Sequence, residues 1–206
     1  MRIVALIMAG GRGERFVKGM EKPMIKFLGK PLIKRVIEAT KASKRISETY
    51  VAVTLHNPET AEEAAKASVK VVKTEGHGYH ADLKQAVLKL NLTCPVLTIS
   101  SDLPLLNGEF LDEVIDKYEK SRKPALTVLI PIEVCQKCGI QPSSLETRHG
   151  GTFAVSGINV IDGQRICEEE QETEVLLSER IEAVFNINSP KDLESAKNYL
   201  LRSKKD

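Results

Sequence analysis

At 206 residues the chain exceeds the usual single-domain size without reaching two comfortable domains, so one α/β unit spanning 1–206 is expected. An apolar content of 42% suffices for a real core, whereas 4% aromatic residues and no Trp exclude a surface of stacking platforms for single-stranded nucleic acid. Against 28 Asp and Glu, 30 Lys and Arg leave a net charge of +2, far from the basic excess of a phosphate-backbone reader, and nucleic acid is not expected as a partner.

The first element, Arg2 to Met8, is a continuous aliphatic run that suits a central parallel strand buried on both faces. The apolar stretch Ile3 to Ala9 is broken at Gly10 and Gly11, too short for a signal segment or a membrane span, which predicts a cytoplasmic protein with no membrane partner. Pro31 then opens a helix as its N1 residue, with Leu32, Ile33, Val36, Ile37 and Thr40 on one face. A strand at Thr49 to Leu55 precedes a helix capped by Asn57, with Pro58 at N1, that runs to Ala67; a short strand follows at Val69 to Val72.

The alternation continues with a helix at His80 to Leu90, a strand at Pro95 to Ser100, a helix capped by Asn107 and a strand at Ala125 to Pro131. Residues 133–152 are polar and carry Gly139, Pro142, Gly150 and Gly151, the composition of a long functional loop or a lid insertion. Phe153 to Ile161 alternates as a strand interrupted at Gly157, Ala183 to Ile187 is the last short apolar strand, and Ser189-Pro190-Lys191-Asp192 launches a final helix through a capping-box variant. Strands alternating with helices imply a Rossmann-like, doubly wound, mostly parallel α/β sheet with helices on both faces. No internal repeat is visible.

Ala9-Gly10-Gly11-Arg12-Gly13-Glu14-Arg15 directly follows the first strand, where a backbone without Cβ atoms can wrap anionic oxygens and aim its N–H groups at them. Arg12, Arg15 and, further on, Lys22 add cationic donors suited to a triphosphate and to the charge that builds as pyrophosphate leaves. The spacing is neither a Walker A loop nor a dinucleotide fingerprint, and a plain tight turn is the competing reading. Asp102 follows the strand ending at Ser100, at the carboxyl edge where open α/β sheets hold ligands. A lone carboxylate beside a triphosphate suits magnesium, which takes one or two carboxylates plus phosphate oxygens and water; a turn or cap aspartate is the alternative.

Met8 to Arg15 followed by Glu21-Lys22-Pro23 resembles the signature of nucleotidyltransferases with the nucleotide-diphospho-sugar transferase fold. Gly76-His77-Gly78-Tyr79, Ser100-Ser101-Asp102-Leu103, Ser156-Gly157-Ile158-Asn159-Val160 and Phe185-Asn186-Ile187-Asn188 appear in the order of the archaeal-type GTP:adenosylcobinamide-phosphate guanylyltransferase family. The resemblance implies GTP and a phosphorylated corrinoid as substrates, in cobalamin biosynthesis. The loop signature is shared with molybdenum-cofactor guanylyltransferases and sugar-phosphate nucleotidyltransferases, so it specifies the chemistry and not the acceptor. A GTP-sensing module without turnover is the rival of a different class.

On this reading Gly76, Gly78, Tyr79 and Asp82 approach a guanine, while Gly157 marks a bulge or a close ligand contact. Asn159 hydrogen-bonds ribose or phosphate of the nucleotide, and Asn186 and Asn188 end the last strand at the edge where nucleotide is expected. Ordinary turns and packing glycines are the competing accounts. Cys135 and Cys138 have half of a zinc spacing with His149 nearby, and with no second pair they read as two unrelated reduced thiols. Assembly is left open between monomer and homodimer.

Overall fold

All five residues from Ile3 to Ile7 are buried, and they divide by parity. Ile3, Ala5 and Ile7 enter one apolar cluster, and Val4 and Leu6 the other, as successive side chains of a strand must. The same division holds for Val51 and Val53 against Tyr50 and Ala52, and for Leu97 and Ile99 against Val96. Apolar residues at nearly every position of these segments thus produce strands covered on both faces.

The computed structural model describes residues 1–11, 16, 19–148 and 150–202. Its strands are β1 (Ile3–Met8), β2 (Lys26–Phe27), β3 (Lys30–Pro31), β4 (Ile46–Thr54), β5 (Lys70–Thr74), β6 (Pro95–Ser100), β7 (Ala125–Pro131), β8 (Leu145–Arg148), β9 (Gly151–Asp162) and β10 (Thr173–Leu177). Its helices are α1 (Leu32–Ala42), α2 (Pro58–Lys66), α3 (Tyr79–Lys89), α4 (Gly108–Ser121), α5 (Ile132–Lys137), α6 (Ile181–Val184) and α7 (Pro190–Arg202). The main sheet has the order β10-β7-β9-β6-β1-β4-β5, with β8 paired to β9. Neighbours β5, β4, β1 and β6 run parallel, as do β7 and β10, while β9 is antiparallel to β6, β7 and β8.

One face of the sheet carries α1, α2 and α4, whose Leu32, Val36, Ala64, Phe110 and Val114 pack with Ile3 and Ile7; Cys135, Ala183 and Ala196 of α5, α6 and α7 join the same cluster. On the other face Leu83, Ala86 and Val87 of α3 cover Val4 and Leu6. Among the described residues α3 alone covers this face as a helix, and the β7–β9 half is left open. Among the described residues no helix is long and apolar enough to cross a membrane.

Several expectations are corrected. Pro31 is the residue before α1, with ψ 145°, because Lys30 and Pro31 pair with Lys26 and Phe27 as a small hairpin; the helix begins at Leu32. Residues 133–152, expected without regular structure, contain most of α5 and all of β8. Ala183 to Ile187 is no strand: it includes the end of α6, and Ile187 N–H then donates to the Asp102 carbonyl at 2.9 Å. The last strand is β10, which the acidic residues around it concealed by breaking the apolar pattern. The expected caps fared unevenly. Asn107 Oδ1 accepts from Phe110 N–H at 2.9 Å, and Ser189 Oγ accepts from Asp192 N–H at 3.2 Å while Asp192 takes the Asn188 N–H at 2.9 Å. The Asn57 side chain caps nothing.

Candidate active site

Because β1, β4, β5 and β6 are parallel, Met8, Thr54, Thr74 and Ser100 bring their carboxyl ends to one edge. There the chain leaves each strand, and backbone N–H groups are free to meet a ligand. Gly10 turns so tightly against β4 that a Cβ would lie 2.9 Å from Thr54 Cγ2. A cavity of about 280 Å³ adjoins it, lined by Gly10, Gly11, Thr54, Gly76, Gly78, Tyr79, Asp82 and Ser100. Ala9 lies deeper, fully buried, with its N–H donated to the Ala52 carbonyl at 2.8 Å. Arg12, Gly13 and Arg15 lie outside the described residues.

Asp82 is buried in the first turn of α3. Its Oδ1 accepts from the N–H groups of Gly76 at 2.8 Å and His77 at 3.3 Å, so the carboxylate closes the 76–78 turn and presents that backbone to the cavity. Two backbone donors on one carboxylate oxygen make a charge-assisted anchor, stronger than a neutral contact.

Lys22, at the start of a short 3₁₀ turn, packs along Gly11 and donates through Nζ to Asp102 Oδ2 and, at 2.7 Å, to Asn188 Oδ1. Asn188 Nδ2 donates to the Asn186 carbonyl at 3.3 Å. The Asn186 side-chain amide, its nitrogen turned to the carboxylate, donates to Asp102 Oδ2 at 3.0 Å. The pin between Ile187 N–H and the Asp102 carbonyl holds the two segments together. Asp102 is therefore no helix cap: its side chain is the hub of a cation-bearing cluster.

A second groove, about 700 Å³, occupies the open face over β7 and β9. Leu126, Val155 and Val160 give it apolar walls, Gly157, Asn159 and Asn186 line it, and Glu146 and Arg148 bring charge. A hydrogen-bonded row crosses its floor. Thr127 Oγ1 donates to Asn159 Oδ1 at 2.8 Å, and Tyr79 Oη donates to Thr98 Oγ1 at 3.1 Å, beside Asn159. Burial pushes the Tyr79 phenol up, so it stays a donor, while the ring face remains accessible. Tyr79 and Ser100 line both cavities. The predicted residues thus divide: Gly10, Gly11, Gly76, Gly78, Tyr79 and Asp82 line the smaller cavity, and Gly157, Asn159 and Asn186 the larger. Lys22, Asp102 and Asn188 form the cluster between Gly11 and Asn186.

The interruption expected at Gly157 is real. Its φ is 82° and the β7–β9 register shifts between Thr127 and Leu129. Cys135 is buried on α5, where burial pushes its thiol up to about 11; burial also raises Cys138. Both are thereby poorer thiolate ligands, and His149 lies outside the described residues. Among the described residues no three His, Cys, Asp or Glu side chains cluster to hold a metal. Sequence reading gave no site role to Glu21, Thr54, Asn57, Thr98 or Thr127; Glu21 stood only within the signature beside Lys22, and Asn57 only as a helix cap.

The model of the MobA-like NTP transferase domain matches residues 5–144. The chain is 32% identical to the adenosylcobinamide-phosphate guanylyltransferase of Methanocaldococcus jannaschii, covering 95% of this chain and 96% of that protein. It is 25% identical to a probable molybdenum cofactor guanylyltransferase of Thermococcus kodakarensis, over 93% of this chain and 92% of that one. Among solved structures, a CMP:2-keto-3-deoxy-manno-octonic acid synthetase complexed with CTP superposes with a TM-score of 0.71 at 14% identity, covering 98% of this chain and 100% of that chain. At that identity the likeness carries the fold, a mixed α/β sheet of the nucleotide-diphospho-sugar transferase type.

Proposed function

The chain belongs to the MobA-like NTP transferase family, and from that premise we propose that it transfers GMP from GTP to adenosylcobinamide phosphate, yielding adenosylcobinamide-GDP and pyrophosphate. The observation that carries this reading is the pair of cavities meeting at Tyr79 and Ser100, with the cluster of Lys22, Asp102, Asn186 and Asn188 reaching from the glycine turn to the larger groove. The smaller cavity, beside the glycine turn, is assigned to nucleotide, and the larger to acceptor. A groove of about 700 Å³ with an apolar wall is generous for a sugar phosphate and suits the phosphate-bearing arm of a macrocycle whose body rests on the open sheet face.

An oxygen of the acceptor phosphate forms a bond to the α-phosphorus of GTP, and the bond to the β-phosphate bridging oxygen breaks in line. The electron pair leaves with pyrophosphate, and configuration at phosphorus inverts. The attacking oxygen is already ionised, so the protein's work is to align the two substrates and to meet the developing charge with preorganised donors. Lys22, with Arg12 and Arg15, is assigned to the triphosphate. The 76–78 backbone and Asp82 are assigned to guanine, and Gly157, Asn159 and Asn186 to the acceptor side. Asp102, with the Asn188 amide oxygen beside it, would hold magnesium, which when bound supplies charge neutralisation at the phosphates.

Asp82→Ala removes the anchor of the 76–78 turn. It is expected to weaken GTP binding about tenfold, the loss appropriate to charge-assisted backbone bonds, with no gain for ATP; calorimetric titration reads it. An unchanged GTP affinity would remove this turn from the base site.

The activity itself is tested by pyrophosphate release from GTP with adenosylcobinamide phosphate, a molybdopterin and a sugar phosphate as acceptors. Turnover with the corrinoid alone is the expected result. Turnover with molybdopterin alone would favour the second reading, which the 25% identity to a probable molybdenum cofactor guanylyltransferase supports. Tight GTP binding with no turnover on any acceptor would point to a GTP sensor.

A further inference from the structure

Helix α2 begins beside the glycine turn, and its N-terminal donors are all accounted for within the protein. Pro58 has no N–H to offer. Glu59 N–H donates to Glu21 Oε1 at 2.8 Å, Thr60 N–H to Glu21 Oε2 at 2.8 Å, and Thr60 Oγ1 to the same oxygen at 2.5 Å. Ala61 N–H donates to the Asn57 carbonyl at 3.1 Å. A helix N-terminus near a phosphate-binding turn is a common seat for the ligand's anion. Here that seat is taken by a buried carboxylate of the chain itself, 6% exposed. The residue after that carboxylate is Lys22.

The other end of the same segment is held by Asn57, which is fully buried. Its Nδ2 donates to the Gly11 carbonyl at 3.1 Å, and its Oδ1 accepts from Thr54 Oγ1 at 2.7 Å. This explains why Asn57 does not cap its own helix: its amide is committed to the glycine turn, and Glu21 caps in its place. Gly11 and Glu21, which flank the arginine-bearing part of the sequence, are thus both tied to the start of α2. Lys22 N–H also donates to the Gly11 carbonyl at 3.4 Å. Neither Glu21 nor Asn57 lines either cavity: Glu21 directly precedes Lys22, and Asn57 holds Gly11, which lines the smaller one.

We infer that Glu21 and Asn57 are positioning residues: through α2 they hold the two ends of the phosphate loop so that Lys22 and the Gly11 backbone meet the triphosphate together. The inference rests on assigning the smaller cavity to GTP. Fixing a donor in advance removes the cost of ordering it on binding, and a rigid helix with an internally neutralised dipole is a firmer mount than a loop.

The test is a double-mutant cycle of Glu21→Ala with Lys22→Ala, read as the GTP dissociation constant by calorimetry, so that no acceptor is needed. If Glu21 acts through Lys22, Glu21→Ala weakens GTP about tenfold when Lys22 is present and less than about twofold when it is absent. A purely structural role would lower thermal stability equally in both backgrounds and leave the GTP losses additive, which would overturn the inference. Asn57→Ala, measured well below its unfolding temperature, is expected to weaken GTP while leaving the preference for GTP over ATP intact. Unchanged affinity in Asn57→Ala would remove that residue from the mount. Wild-type protein that binds GTP yet releases no pyrophosphate with the corrinoid would defeat the proposed activity and leave this cycle readable.

Discussion

Lys22→Ala is expected to lower kcat about 100- to 1,000-fold, the loss typical when one preorganised donor to a developing oxyanion is removed. In the free protein Lys22 does not wait for substrate unpartnered. Its ammonium is held by Asp102 and Asn188, with side-chain exposures of 17% for Lys22 and 10% for Asp102. A triphosphate that recruits Lys22 therefore also releases the Asp102 carboxylate, and the same ion pair that orders the site competes with any cation for Asp102. The substitution should consequently move two quantities in opposite directions. Turnover falls, and Mn²⁺, used as a spectroscopic stand-in for magnesium, binds the nucleotide-free variant more tightly than it binds wild type. Titration followed by electron paramagnetic resonance reads the second effect directly. Native turnover would remove Lys22 from the chemistry, and weaker Mn²⁺ binding in the variant would mean that the ion pair does not mask Asp102.

Gly157→Ala should be the most damaging single methyl in the site. A Cβ there would stand 2.5 Å from Ser100 Oγ and 2.8 Å from Ser100 Cβ, at a backbone φ of 82°. Overpacking of this kind costs about 1–3 kcal/mol, and the left-handed backbone adds about 1–2 kcal/mol for a residue with a Cβ. Ser100 cannot retreat freely, since it ends β6 and lines both cavities. The expected result is a lower denaturant midpoint at unchanged m-value, together with impaired acceptor turnover. Adding Ser100→Gly relieves the clash without altering φ, so the double variant should recover most of the overpacking share and retain the backbone share. A midpoint equal to wild type in Gly157→Ala would show that β9 can repack, and with it that the bulge is not required.

The two experiments probe different physics. The first removes charge that the proposed reaction calls for, and the second disturbs the close approach of two strands that brings Ser100 and Asn186 to the same place.

Much of the architecture was legible in the chain because its signals are local. Continuous aliphatic runs gave β1, β6 and β7 their limits within a residue, and in β1 and β6 burial on both faces leaves little alternation to misread. The Asn107 cap and the Ser189–Asp192 box were readable for the same reason, each being closed within four residues. Conversely β10 was invisible, because Glu172 and Glu174 sit in and beside an edge strand whose solvent side tolerates charge. The misplaced strand at Ala183 to Ile187 shows the limit from the other side. Apolar periodicity reports burial, and Phe185 and Ile187 are indeed buried, but burial under a sheet edge does not require pairing with it.

The sequence by itself determined the mostly parallel sheet and the glycine turn after its first strand, and it singled out the groups proposed to serve the phosphates and a metal: Lys22, Asp102 and the amides near the end of the chain. Only the tertiary structure decided how those groups are used. It joined Lys22 to Asp102 and Asn188 across 80 and 166 positions of chain, gave the N-terminus of α2 to Glu21, and turned Asn57 from its own helix to the glycine loop. It also separated the predicted ligand residues into two cavities that share a tyrosine wall. The physical reason is common to all of these. Propensity, periodicity and caps act over a few residues, whereas the partner of a buried charge or amide is whichever group the sheet order brings within hydrogen-bond reach.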